Sequence, residues 1–171
     1  MKNGKIIWMT GLSGSGKTTI AYELIKKFRF WGKSVVLLDG DILRGIMPNT
    51  GFSIAERNAH VKRTGALANM LANSGINVIC ALISPIETGR LLAIGEVSGG
   101  IDFYLVYVKC NIRECIRRDV KGLYKKAIDG KIKNFTGISQ LYEEPKNASI
   151  IVDTEVETIK QSVNKIWGYI K

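Results

Sequence analysis

Proline, cysteine and histidine are scarce in this chain of 171 residues: there are three prolines, Pro48, Pro85 and Pro145, three cysteines and one histidine, His60. The cysteines, Cys80, Cys110 and Cys115, are odd in number and lie in or beside apolar runs, unlike the framework of a small disulfide-stapled secreted domain. A reducing, cytoplasmic compartment is therefore expected. One histidine and no close Cys-x-x-Cys pair leave a zinc-thiolate centre without its ligands. Long apolar runs are missing too. Met1 to Thr10 contains only the short stretch Ile6 to Met9, too little for an export signal, and the uncharged segment Gly65 to Ile86 is broken by Asn69, Asn73, Ser74, Gly75, Asn77 and Pro85. That segment reads as a helix followed by a strand, not as a membrane span. Repeats and Pro/Gly-rich linkers are absent, so one domain over residues 1–171 is expected. Acidic residues are few, 15 against 25 lysines and arginines, and the net charge of +10 calls for an anionic partner: nucleotide, nucleic acid or membrane.

What is present alternates. Short β-rich runs at Lys5–Thr10, Ser34–Asp39, Ile76–Ser84, Phe103–Lys109 and Ser149–Val152 are separated by amphipathic stretches, the pattern of an α/β fold with a parallel sheet of about five strands and helices on both faces. Ile20, Ala21, Leu24, Ile25 and Phe28 share one helical face, as do Val156, Ile159, Val163, Ile166 and Ile170. Ser53 with Glu56, and Thr154 with Glu157, match capping boxes, and Gly75 is placed to end a helix. The tryptophans, Trp8, Trp31 and Trp167, read as packing residues. Residues 120–142 stand apart, with five lysines among Leu123, Tyr124, Phe135 and Tyr142, and suggest a basic lid.

Residues 11–18, GLSGSGKT, satisfy G-x-x-x-x-G-K-[ST] between an apolar strand and an amphipathic helix, the context a phosphate-binding loop requires. Gly11, Leu12, Ser13, Gly14, Ser15 and Gly16 would turn successive backbone N–H groups onto phosphate oxygens at a helix N-terminus, with Lys17 bridging the β- and γ-phosphates. Thr18 would offer a hydroxyl to Mg²⁺, and Thr19 a further polar group near the α-phosphate. In VVLLDGD, Asp39 is placed to hold Mg²⁺ and Asp41 to take the proton of an attacking hydroxyl. No Asn-Lys-x-Asp guanine-reading motif occurs and the chain is short for a two-lobed helicase, which leaves a small-molecule kinase using Mg²⁺ and ATP.

The motifs GLSGSGKTT (11–19), LDGDILR (38–44), GFS with ER (51–53, 56–57), ISP (83–85), RDVKGLYKKA (118–127), FTGI (135–138) and YEEP (142–145) closely resemble the adenylylsulfate kinase family, P-loop enzymes that phosphorylate a ribose 3′-hydroxyl. The resemblance implies that Arg44 and Arg57 grip the acceptor's 5′ anionic group and that Phe52 and Phe135 sandwich its base. It places the backbone of Ile83 and Ser84 against the acceptor, Lys121 over the reacting phosphates and Arg118 beside the ATP adenine. Ser84 matches a serine proposed in the family as a phosphoserine intermediate; direct in-line transfer is the preferred reading. A homodimer is also implied, with neither nucleic acid nor membrane as partner.

The acceptor half departs from the family pattern. His60 stands where asparagine is usual and Lys62 where arginine is common, while Ile86 and Glu87 follow ISP in place of Tyr or His and then Arg; Arg90 still matches a later arginine. A glutamate for an arginine changes local charge by two units, and compensation by a partner or a changed ligand is expected. These departures lead to an expected acceptor of cytidine diphosphoramidate, as in a subgroup resembling these kinases that serves capsule phosphoramidate synthesis, with adenylylsulfate as the alternative. A nucleic-acid-binding module, suggested by the basic segment, would not need the phosphate loop or Asp39 and Asp41.

Overall fold

A computed structural model describes residues 3–48 and 51–171; Met1 and Lys2, which open the stretch read for an export signal, lie outside them. Five strands, β1 (Ile6–Thr10), β2 (Val35–Asp39), β3 (Asn77–Ala81), β4 (Phe103–Lys109) and β5 (Ile150–Asp153), form one parallel sheet in the order β2-β3-β1-β4-β5. The helices are α1 (Lys17–Phe30), α2 (Gly40–Ile46), α3 (Ile54–Asn73), α4 (Glu87–Gly95), α5 (Ile112–Arg118), α6 (Leu123–Ile128) and α7 (Ile159–Ile170).

The central strand explains the layers. Every residue of IIWMT in β1 is buried, and alternation sends successive side chains to opposite faces. Ile7 and Met9 join Ile79, Val106 and Val108 against Ile20, Leu24 and Phe28 of α1 and Ile166 and Trp167 of α7. Ile6 and Trp8 join Val78, Cys80 and Leu105 against Val61, Ala68 and Ala72 of α3 and Ala93 of α4. The expected α/β architecture is thus present, and the strand order reverses on either side of β1. Ligands of open α/β sheets collect outside the carboxyl end of the strands at such a switch point, and there GLSGSGKT leaves the sheet.

Local signals hold in most places. Ser53 and Glu56 form the expected capping box of α3, and Gly75, at φ +83°, follows the end of that helix. Three expectations need correction. The strand expected to reach Ser84 ends at Ala81, because the backbone turns at Ser84, whose φ is +36°. The last helix starts four residues later than expected: its capping box is Thr158 with Gln161, and Val156 is 80% exposed before it. Trp8 and Trp167 are buried, but Trp31, at the end of α1, is 61% exposed. Cys80, Cys110 and Cys115 are all buried free thiols. Among the described residues no helix is long and apolar enough to cross a membrane.

The basic segment is more than a solvated loop. Tyr124 of α6 is buried with Leu12, Cys110 and Cys115, and its hydroxyl donates to the Ser13 carbonyl at 2.9 Å, fastening the segment to the phosphate loop while Lys125, Lys126 and Lys131 are exposed.

Candidate active site

The loop between β1 and α1 is shaped by glycines that have no substitute. A Cβ on Gly11 would lie 2.4 Å from the Val108 carbonyl oxygen, and Gly16 takes φ +99° at the N-terminus of α1. Lys17 is 8% exposed, and its Nζ donates to the carbonyls of Gly11 at 2.8 Å and Leu12 at 2.7 Å. Burial lowers its pKa from 10.5 to about 8, with Cys115, Asp41 and Asp39 partly opposing the shift. Thr19 follows on α1, exposed along the wall of a cleft of about 980 Å³ that runs across the top of the sheet.

Asp39 closes β2 and caps α2, its Oδ1 accepting from the Asp41 backbone N–H at 2.9 Å. Its other oxygen accepts from Thr18 Oγ1 at 3.0 Å, so a hydroxyl and a carboxylate converge beside the phosphate loop. Two hard oxygen ligands completed by phosphate oxygens and water suit Mg²⁺, which is seldom held by an all-protein cage. Asp41, two residues on in the first turn of α2, is exposed to the cleft and paired with Lys121 from the basic segment. The structure therefore brings the expected base and the expected lid lysine into contact.

On the β2–β3 side of the loop the cleft is lined by Arg44, Phe52, Arg57, His60, Ile83, Ser84 and Phe135. The guanidinium groups of Arg44 and Arg57 lie over the Phe52 ring, 4.7 and 5.4 Å from its centroid. Arg57 Nε donates to the Phe52 carbonyl at 3.0 Å and its Nη2 to the Asn134 carbonyl at 2.6 Å, tying α3 to the basic segment. Phe135 packs edge-on against Tyr124, with centroids 5.0 Å apart. Ser84 is 3% exposed; its Oγ accepts from Trp8 Nε1 at 3.1 Å and its carbonyl from Arg90 Nη1 at 2.9 Å. His60 is buried with both ring nitrogens lacking a partner, and its pKa falls to about 4 through burial and the nearby Arg44 and Arg63, so the ring is neutral near pH 7.

The opposite, β4–β5 side holds Arg118, expected beside the donor's adenine, together with three cleft-lining residues not singled out as site residues from the sequence, Thr154, Glu157 and Ser162. Arg118 is held by Glu114 Oε1 at 2.9 Å, Thr154 Oγ1 at 3.1 Å and the Thr154 carbonyl at 2.8 Å. Thr154 Oγ1 in turn donates to the Ser15 carbonyl at 2.9 Å. Thr154, Glu157 and Ser162 line the cleft beside Arg118. Thr154 and Glu157 did carry a sequence signal, their three-residue spacing, but it reads as a helix cap.

The departures in the acceptor half separate in space. Only His60 lines the cleft. Lys62 points away and pairs with Glu96 at 3.5 Å, and Glu87 is an exposed residue in the first turn of α4, where a carboxylate complements the helix dipole. The charge change at Glu87 therefore falls outside the cleft walls.

A family model described as adenylylsulphate kinase matches residues 3–153. The chain is 43% identical to a probable adenylyl-sulfate kinase of Aeropyrum pernix, over 100% of this chain and 94% of the relative. It is 44% identical to the adenylyl-sulfate kinase of Staphylococcus epidermidis, over 99% and 87%. The structure of the Mycobacterium tuberculosis APS kinase in complex with AMPPNP and APS superposes with a TM-score of 0.95 at 38% identity, covering 99% of both chains. These similarities overturn the expectation of cytidine diphosphoramidate as acceptor. Relatives this similar along the whole chain are adenylyl-sulfate kinases, and the Ile86-Glu87 change on which that expectation leaned does not reach the cleft.

Proposed function

The chain belongs to the adenylylsulphate kinase family, and we propose that it transfers the γ-phosphoryl group of ATP to the 3′-hydroxyl of adenylylsulfate. It is a phosphotransferase with a hydroxyl acceptor. The observation that carries the acceptor reading is the cleft: a phosphate loop at its centre, two arginines stacked on Phe52 on one side, and Asp41 with Lys121 between. The M. tuberculosis relative with the same fold is complexed with AMPPNP and APS.

In this reading the loop from Gly11 to Gly16 and Lys17 hold the β- and γ-phosphates, while Thr18 and Asp39 hold the Mg²⁺, which supplies charge neutralisation when bound. Arg44 and Arg57 take the 5′ sulfate-phosphate anhydride, Phe52 and Phe135 face the acceptor's base, and Ile83 and Ser84 form the floor. Asp41 accepts the 3′-hydroxyl proton as its oxygen attacks phosphorus in line. Lys121, drawn from Asp41 to the transferring phosphoryl, stabilises the charge that develops there. Ser84 Oγ is engaged by Trp8, which supports direct transfer over a phosphoserine. Buried free thiols fit a reducing compartment such as the cytoplasm. A homodimer completes the reading and would sediment at twice the 18.9 kDa chain mass.

The test is ADP release from Mg²⁺-ATP with adenylylsulfate, the product's new phosphate located by ³¹P NMR. Turnover yielding a 3′-phosphate supports the reading; no turnover of adenylylsulfate, or phosphate at another position, overturns it. Asp41→Asn should lower kcat by about 100-fold or more while leaving the KM for ATP within a few-fold. A near-normal rate in that variant would remove Asp41 as base.

A further inference from the structure

The cleft is divided by the phosphate loop, and the division decides where the donor's base can go. The acceptor residues follow β2 and β3, on one side of β1 in the sheet order, so a nucleotide whose phosphates sit on the loop extends its nucleoside toward β4 and β5. On that side Arg118 is fixed by four hydrogen bonds, to Glu114, Gly14 and twice to Thr154, and lines the cleft. The hydroxyls beside it are already donating, Thr154 Oγ1 to the Ser15 carbonyl and Ser162 Oγ to Glu157 Oε2 at 2.9 Å. Glu157 is the carboxylate of this lobe. Its Oε1 accepts from Lys165 Nζ at 2.8 Å, so each oxygen has one donor and keeps capacity for another. Although burial pushes its pKa up, the hydrogen bonds from Lys165 and Ser162 outweigh that effect and hold the carboxyl below its usual value, as an anion at neutral pH.

We infer that Glu157 reads the base of the donor nucleotide, accepting a hydrogen bond from an exocyclic amino group and turning away a base that presents an oxo group at that edge. The inference rests on the kinase reading above and deepens it. A carboxylate has no proton to offer an oxo oxygen, and two facing lone-pair groups repel and leave both without a partner in the bound complex. Ser162 and Lys165 act through Glu157: they fix its rotamer and keep it charged. The donor should therefore be a 6-aminopurine nucleotide, with hypoxanthine and guanine nucleotides excluded by the same carboxylate.

ADP and IDP differ at purine position 6 and share their phosphates, so their direct titration, with Mg²⁺ and no acceptor present, isolates this contact. The wild-type chain should bind ADP about 10- to 100-fold more tightly than IDP, the range of one hydrogen bond to a charged group. Glu157→Gln keeps the shape and can turn its amide N–H toward an oxo group, so the ratio should collapse to within about threefold. A wild-type ratio near one overturns the inference, as does GDP binding as tightly as ADP or a Glu157→Gln variant that keeps the full ratio. The wild-type titration needs no variant to fold. Because no acceptor is used, failure of adenylylsulfate turnover would sink the acceptor assignment and leave the ADP to IDP ratio to judge this one.

Discussion

Lys17 shows how a single residue couples burial to ligand binding. Its ammonium is taken out of water by the loop that wraps it, and desolvation outweighs the support of the surrounding negative groups, which is why its pKa falls to about 8. The sign follows from comparing states. An unfolded lysine keeps its proton to about pH 10.5, so between pH 8 and 10.5 the folded chain holds fewer protons, and rising pH relieves the buried charge and adds stability. Phosphate binding runs the other way, since it needs the cation. Titrating ADP across pH 7 to 10 should show affinity constant below about pH 8 and then weakening by up to about tenfold per pH unit. Lys17→Ala should bind weakly throughout and show no such step. His60 illustrates a different lesson: its position beside the cleft was legible from its place after Arg57, but its neutrality comes from burial together with Arg44 of α2 and Arg63 of its own helix.

At the scale of elements, the cap expected at Thr154 is supplied by a threonine four residues later, Thr158. Thr154 and Glu157 fit a capping box as letters, yet Thr154 lies at the end of β5, where its hydroxyl reaches the phosphate loop, and α7 begins only after Thr158. Thr158→Ala should lower stability by about 1 kcal/mol through loss of the cap, a drop of about 2–4 °C in Tm, with ADP affinity unchanged. Thr154→Ala should instead weaken ADP binding by about tenfold, because Arg118 and the Ser15 carbonyl lose a shared partner. Thermal melts paired with ADP titrations separate the two; equal effects of both variants on affinity would contradict this division. The strands were easier to read than the caps, since a buried run such as IIWMT has one environment it can occupy, whereas a Thr-x-x-Glu spacing serves caps and ligand walls alike.

The whole molecule gathers an excess of positive charge around one opening. With a net charge of +10, the chain places Lys17, Arg44, Arg57, Arg118 and Lys121 on the walls of the same cleft. Both nucleotides expected there are polyanions, so their capture should be steered electrostatically: kcat/KM should fall on the order of tenfold between low salt and 0.3 M, with kcat nearly constant. A salt-independent kcat/KM would argue that the charge serves solubility alone. The sequence by itself determined the phosphate loop, the Asp39–Asp41 pair, the alternation that builds a parallel sheet, and the family, because each depends on residue types at fixed spacings along the chain. The strand order decided the rest. By placing β2 and β3 on one side of β1 and β4 and β5 on the other, it divided the cleft into two lobes, drew Lys121 across to Asp41, set Glu157 beside Arg118 and carried Glu87 out to solvent. Those juxtapositions join residues far apart in the chain, and no local spacing encodes them.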